Sequence, residues 1–574
     1  MQRNDIMKSF TARSLAWIAC LLTAWAPTGA QEADGTVEPA EPFAEIVNVE
    51  IVNVDVYVTD NKGNSVTGLT RDDFVIKENG KPIEVANFYA VEDGRPTEES
   101  AASLAGSGGE LDAGVELREI GTAPEHRLWL VVYIDNFNIH PLHRRRIFPD
   151  LRLFLGKILR DEDQAMVATF DRSLEVRQPF TDNSDLLFDA LDTIQDDIGH
   201  VTVRNRERSD TLKRIADARS GSRALGAARQ YAESQMNDIN ATTRALREVI
   251  DSLAGLPGRK AMLYVTSGVP MRAGEEMFHA VASTYDASTA YAEIPRHDTS
   301  RSFESLGKHA NANRVVFYTM DASGLRSMQF GGAEYGSFMT SGLRSTLEST
   351  VQANEQESLR FLADETGGMA IVNRNATLPA LDEVGRDLRT YYSLGIQNNH
   401  PGEGRYYDLE VEVNRPNVKV RHRNGYRSKS MDSRMGEMIR SALLYDKFDN
   451  PFNVSAEWAR PTPDPESKNF VLATRLQVPL RDIVFLPTQE NRWEMRLKVF
   501  VGIVDRHGDI SEIDSFPVGL RLAQEHVDAA QEQSYQFTHR LLVEKGRQKV
   551  AVAVLDQFGN RSSIISQFIQ AGDR

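Results

Sequence analysis

The chain predicts an α/β fold: a mostly parallel sheet with helices on both faces, flanked by all-β sandwich-like modules. Three observations predict it. Between residues 126 and 373, continuous apolar runs alternate with segments of helical spacing. Before and after this stretch, short runs alternate apolar and polar residues between turn residues. Beyond residue 450 only such runs remain. Strands separated by helices pair in parallel with the helices covering the sheet, whereas short alternating strands with frequent turns build sandwiches.

In order, Arg3, Lys8 and Arg13 precede the apolar run SLAWIACLLTAWA (14–26) and the small residues Thr28 and Ala30. This pattern predicts a signal peptide over 1–30, too short to span a bilayer. Cys20, the one cysteine, lies inside it. The mature chain is therefore expected to have no disulfide, no cysteine metal site and no cysteine nucleophile. Cleavage removes more bases than acids from a chain already at −16. Nucleic acid is excluded as a bulk partner, and no membrane span is expected after cleavage. The expected location is secreted or periplasmic, in a cell envelope.

Residues 43–92 read as a β unit. Val and Ile alternate with polar residues over 46–58, and Asn79-Gly80 marks a hairpin. Residues 93–124, rich in Gly, Ser, Ala and Glu, read as a flexible linker. The α/β domain is placed at 125–400. Its strands are RLWLVVYID, QAMVATF, LEVRQPF, KAMLYVTSG, RVVFYTMDA and GMAIVN, with helices at RRRIFPDLRLFLGKIL and NSDLLFDALDTI. Residues 200–254 read as a helical insertion, either a hairpin or one long helix. A β-hairpin at 401–428 is expected to pair with 43–92, since neither half has enough strands for a stable sandwich alone. A β-sandwich is expected at 446–572. Asp-x-x-Gly-[Asn/Asp] occurs at 60–64, 505–509 and 556–560 and reads as three hairpin turns, each with too few carboxylates for a calcium shell.

LWLVVYID entering NFNIHPLHRRRIFPDLRLFL, then DEDQAMVATFDRSLEVRQPFTDNSDLLFDAL, resembles the opening of a von Willebrand factor type A domain, which is Rossmann-like. Roughly residues 43–428 resemble bacterial von Willebrand factor A-related secreted proteins of the acidobacterial type. Also carrying the resemblance are VDVYVTDNKGNSVTGLTRDDFVIKENGKPIEVANFYAVE, FLADETGGMAIVN and YYDLEVEVNRPNVKVRHRNGYR. The family implies a divalent cation at the C-terminal sheet edge, held by Asp-x-Ser-x-Ser, a threonine and a second aspartate. Asp135 matches the first aspartate, but Phe137 and Ile139 stand where the serines belong. Thr202 is the nearest match to the threonine, and Ser267 stands where the second aspartate belongs. Asn136 and Asn138 lie one residue out of step with the serines. One carboxylate with neutral oxygens does not offset the dehydration of magnesium, so neither metal nor other cofactor is expected.

The same loops carry Arg144, Arg145 and Arg146, and Arg204, Arg206 and Arg208. Guanidinium groups hold carboxylates without a metal. The candidate binding edge is therefore Asp135, Asn136, Asn138, Thr202, Arg204, Arg206 and Ser267, and its expected partner another protein presenting an acidic group. Alternatively, these arginines are solvated helix-start residues, some paired with Glu207 and Asp210. No phosphate loop, Gly-x-Ser-x-Gly or His-Glu-x-x-His occurs. A non-catalytic binding protein is expected; a structural subunit of an envelope assembly and a hydrolase are the alternatives.

Overall fold

The computed structural model describes residues 50–97, 127–160, 163–195, 197, 199–325, 339–446, 448–488 and 492–572. The signal segment and nearly all of the 93–124 linker lie outside them. The chain divides into two compact units, the first ending at Ser430 and the second running from Met431.

The first unit contains a β-sandwich and an α/β domain inserted into it. Four strands open the sandwich: β1 (Ile51–Asp60), β2 (Phe74–Glu78), β3 (Lys81–Ile83) and β4 (Val85–Glu92). The α/β domain follows with β5 (Leu128–Ile134), α1 (Pro141–Ile158), β6 (Gln164–Phe170), β7 (Leu174–Thr181) and α2 (Ser184–Gln195). Two helices come next, α3 (Val201–Ala216) and α4 (Gly221–Leu253), so the 200–254 insertion is a helical hairpin. Then come β8 (Arg259–Thr266), α5 (Glu275–Tyr285), α6 (Ser300–Ala312), β9 (Val315–Asp321), α7 (Ser341–Thr366), β10 (Met369–Ile371) and α8 (Thr377–Arg389).

The six-stranded sheet runs β10-β9-β8-β5-β6-β7. All its pairs are parallel except β7 against β6. The seven residues of β5 are all buried, as a strand covered on both faces must be. On one face Leu130, Val132 and Ile134 pack with Phe148, Leu151 and Leu155 of α1, Leu187 and Leu191 of α2, and Leu381 and Val384 of α8. The opposite face takes α7, where Thr366 Oγ1 accepts from Phe317 N at 2.9 Å and Leu359 O accepts from Thr319 Oγ1 at 2.9 Å.

The chain returns to the sandwich through β11 (Tyr391–Gln397), β12 (Tyr406–Val413), β13 (Val418–His422) and β14 (Gly425–Arg427). One sheet is ordered β13-β1-β11-β4, then the short Arg95–Pro96; the other is β14-β12-β2-β3. Val54, Val56, Leu394 and Ile396 meet Ile76, Leu409 and Val411 between them. Each half of the sandwich is thus completed by the other across the insertion. One boundary is corrected. Residues 391–397 were expected inside the α/β domain, yet β11 pairs antiparallel with both β1 and β4. Its apolar run looks like any strand buried on both sides, and periodicity does not say which sheet receives it.

Three arginines join the sandwich to the base of the inserted domain. Arg259 donates to Leu388 O at 2.8 Å and to Tyr57 Oη at 3.0 Å, and lies 3.6 Å from the Tyr391 ring centroid. Arg421 reaches Asp387 at 2.6 Å and Gly368 O at 2.9 Å. Arg423 donates to Asn311 O at 3.0 Å and Asn53 O at 2.7 Å. Burial and the neighbouring Arg314 push the Arg423 guanidinium down to about 10.

The second unit begins with α9 (Met431–Tyr445). Its strands are β15 (Ser455–Trp458), β16 (Phe470–Pro479), β17 (Arg492–Val504), β18 (Asp514–Ala523), β19 (Ser534–Val543), β20 (Gly546–Asp556) and β21 (Arg561–Ala571). β16 pairs with β15 and β19, while β17 lies between β18 and β20, with β21 beyond β20. Leu472, Leu476, Leu497, Val499, Val552 and Val554 form the core between these sheets. β18, with Pro517 and Gly519 inside it, was not anticipated. In the three Asp-x-x-Gly loops the aspartates accept backbone N–H groups two residues on, at 2.8, 2.7 and 3.0 Å, which is turn geometry.

Candidate functional site

The sheet order reverses direction between β5 and β8, and their carboxyl ends open onto one edge. Ligands of open α/β sheets bind at such a point. Asp135 follows β5 directly and Ser267 follows β8, as the sequence order requires.

Asp135 is fully buried. Its Oδ2 accepts from Asn138 Nδ2 at 2.7 Å, Tyr264 Oη at 2.8 Å and Thr266 Oγ1 at 2.9 Å. Its Oδ1 accepts from Asn138 N at 3.1 Å. Burial pushes the Asp135 carboxyl up, and these hydrogen bonds oppose the shift. Tyr264 and Thr266 share a face of β8, the strand beside β5, which is why both reach one carboxylate.

Phe137 and Ile139, in the places of the two serines, are buried too. Ile139 joins the core beneath α1. The Phe137 ring lies 6.0 Å from the Phe170 ring and 6.0 Å from His200. Two guanidinium groups flank it, Arg204 at 5.1 Å and Arg172 at 5.8 Å from the ring centroid. His200 Nδ1 is 2.5 Å from Asp171 Oδ1. The result is an aromatic plug ringed by cations.

Asn136 accepts from Arg144 at 2.8 Å and donates to Asp197 at 3.2 Å. Asn138 accepts from Arg204. Asp135, Asn136 and Asn138 were expected at a binding edge, but all three are buried, so no partner touches them in this conformation. They hold the loop after β5 in shape. Ser267 is half-buried, 3.4 Å from His143 Nδ1. Thr202 lies exposed in the first turn of α3, and no hydrogen bond among the described residues joins it to Asp135.

The arginines divide by helical phase. Arg204 and Arg208, four residues apart, share one face of α3 and turn inward, whereas Arg206 is exposed. Arg204 stands 3.8 Å from Asp238. Arg208 reaches Glu276 at 3.3 Å and Glu355 at 3.1 Å, which ties α3 to α5 and α7. Burial raises the Glu276 carboxyl, and Arg208 lowers it in part. The expectation that puts Arg204 at an open binding edge is corrected, because Arg204 and Arg208, one helical turn apart, lie on the inward face of α3. Arg144 is also buried.

Sequence reasoning missed Arg172. It sits in the β6–β7 turn with φ of 67°, exposed, and makes no hydrogen bond or ion pair among the described residues. The signal available was its place in a tight strand–strand turn at the same sheet edge. Arg145 and Arg206 are likewise exposed and unpaired among the described residues.

No protein-family model matches the chain, and no curated protein matches it. One similar solved structure, an X-ray structure of a structural genomics target, has 11% identity and a TM-score of 0.15, covering 22% of this chain and 90% of that one.

Proposed function

We propose that the chain is an exported, non-catalytic protein-binding protein built around a von Willebrand type A domain whose metal site has become an aromatic plug. Strand order supports the fold reading. Numbered within the domain, the sheet runs 3-2-1-4-5-6, the order of doubly wound dinucleotide-binding folds, with an antiparallel edge at strand 3. Asp135 then falls at the switch point, as the resemblance implies.

The observation that carries the functional reading is the surround of Phe137. Arg172, exposed and without a hydrogen bond or ion pair among the described residues, lies over the Phe137 ring, which also packs near His200 just before α3. A helix N-terminus adds its own partial positive charge. A carboxylate on a partner finds the Arg172 guanidinium and this dipole where relatives by resemblance present a cation. In a chain of net charge −16, this spot is locally distinct, because exposed charges are screened over roughly 10 Å.

The test uses the full chain to capture partners from a native envelope fraction. Affinity of the purified partner is then compared between wild type and Arg172→Glu. The variant should bind at least about tenfold more weakly, mainly through a slower on-rate, and chelator should change nothing. Equal affinities place binding elsewhere on the molecule.

A further inference from the structure

The loop between β11 and β12 carries His400, and both nitrogens of its ring face carboxylates. Nε2 stands 3.4 Å from Glu78 Oε2 at the end of β2, and Nδ1 stands 3.4 Å from Glu403 Oε1. The flat of the ring stacks on Tyr407 of β12, with centroids 4.4 Å apart and planes 7° apart. Both carboxylates are held from behind. Tyr426 Oη of β14 donates to Glu78 Oε1 at 2.6 Å, and Tyr407 Oη donates to Glu403 Oε2 at 2.7 Å. The carboxylates meet different edges of the imidazole instead of converging on one point, and among the described residues no group of three or more His, Asp or Glu side chains is arranged to hold a metal.

The same loop grips the segment that leaves the first unit, which ends at Ser430. Gly404 N donates to Ser428 O at 2.7 Å, and Ser428 N donates to Arg405 O at 3.1 Å. Ser428 Oγ donates to His400 O and accepts from Gly402 N and Asn398 Nδ2, each at 3.0 Å. His400 is therefore part of the clasp that holds the exit segment.

A neutral imidazole has one N–H and one lone pair. Between two ionised carboxylates it donates to one and turns its lone pair on the other. The imidazolium donates to both, and its charge also favours the face of the Tyr407 ring. The other charged groups nearby do not replace it. Arg405 is exposed and stands 3.9 Å from Glu403. Lys81, opposite Glu78 across the β2–β3 hairpin, is exposed and forms no ion pair among the described residues. Glu50, which accepts from Asn398 Nδ2 at 2.7 Å, adds a further negative charge beyond Asn398. The Tyr407 hydroxyl holds the Glu403 carboxyl below the usual glutamate range, which keeps it ionised in mild acid.

We propose that this loop is a pH-sensitive clasp on the exit of the first unit, closed on the His400 imidazolium in mild acid and loosened as the ring loses its proton. Its contribution is present while the ring is charged and is lost as pH rises through the range, about pH 5 to 8, in which imidazole changes charge. This inference is independent of the recognition edge near Phe137.

The test is hydrogen exchange of the full chain at about pH 5 and about pH 8, corrected for the intrinsic effect of pH on exchange. In wild type, protection over 398–405 and 425–430, taken relative to buried β6, should be at least about threefold higher in acid. His400→Gln carries no charge at either pH, so this ratio should fall to unity. Glu403→Gln, at an exposed position, lets a neutral ring satisfy both neighbours, and the ratio should fall there too. If His400→Gln fails to fold, Glu403→Gln decides. Equal protection at the two pH values in wild type, or a ratio that persists undiminished in either variant, overturns the proposal.

Discussion

Asp135→Ala separates a structural carboxylate from an idle metal ligand. Removing the side chain strands Tyr264 Oη, Thr266 Oγ1 and the Asn138 amide, all buried and all now donating to Asp135. A buried donor without an acceptor costs about 1–3 kcal/mol. Relief from burying a charge offsets part of the total, leaving a loss of about 3–5 kcal/mol, typical when one member of a buried charged network is removed. For a domain of this size that lowers melting by roughly 5–9 °C. Calorimetric melts of the full chain measure it, and the second unit's transition serves as an internal control. The pH dependence has a definite sign. Burial raises the Asp135 carboxyl in the folded state, so the folded protein binds that proton more tightly than the unfolded chain. Wild-type stability from this group is therefore greatest below the ordinary aspartate range and is lost as pH rises through the raised folded value. The gap between wild type and Asp135→Ala should widen as pH falls through that window. Unchanged or raised melting in the variant refutes the reasoning, because it means the carboxylate is strained rather than satisfied.

The remaining expectations concern the arginines and the plug. Arg208→Ala leaves Glu276 and Glu355 without their shared guanidinium and should cost about 3–5 kcal/mol, whereas exposed Arg206→Ala should stay within about 0.5 kcal/mol; similar melting shifts for the two contradict the inward face assigned to α3. Phe137→Ser restores a hydroxyl at the position the resemblance expects but empties a buried ring site, so a loss of about 3–5 kcal/mol should appear in denaturant titration. Arg421→Ala abandons buried Asp387 at the junction of sandwich and inserted domain, and hydrogen exchange should quicken at β13 and α8 before elsewhere in the first unit.

Much of the α/β domain was legible because its strands are unbroken apolar runs and its helices keep a 3.6-residue period. Trp129 to Ile134 reads as a buried strand on sight, and it is one. The insertion also showed itself, since β1–β4 alone and β12–β14 alone make poor sandwiches. What failed did so for identifiable reasons. β11 carries Tyr391, Tyr392, Leu394 and Ile396, a pattern common to parallel and antiparallel buried strands, and only three-dimensional pairing distinguishes them. β18 was hidden by Pro517 and Gly519, residues that argue against a central strand but are acceptable at an outer one. At the site, the loss of both serines was readable, and Asp135 falls where the sheet order predicts. The partners that close over Asp135 were not readable, because Tyr264 and Thr266 come from a strand more than a hundred residues away. Arg204 was misplaced because the sequence showed a helix there but not which of its faces the neighbouring helices cover.

Titration of the full chain with magnesium, manganese and calcium at millimolar levels, followed by calorimetry, tests the plugged edge most directly. Every acceptor contact on Asp135 Oδ2 is taken by protein donors, and Phe137 and Ile139 contribute no oxygen, so no saturable heat is expected and chelator should leave melting unchanged. Micromolar binding of any of these ions that disappears in Asp135→Ala would contradict the account.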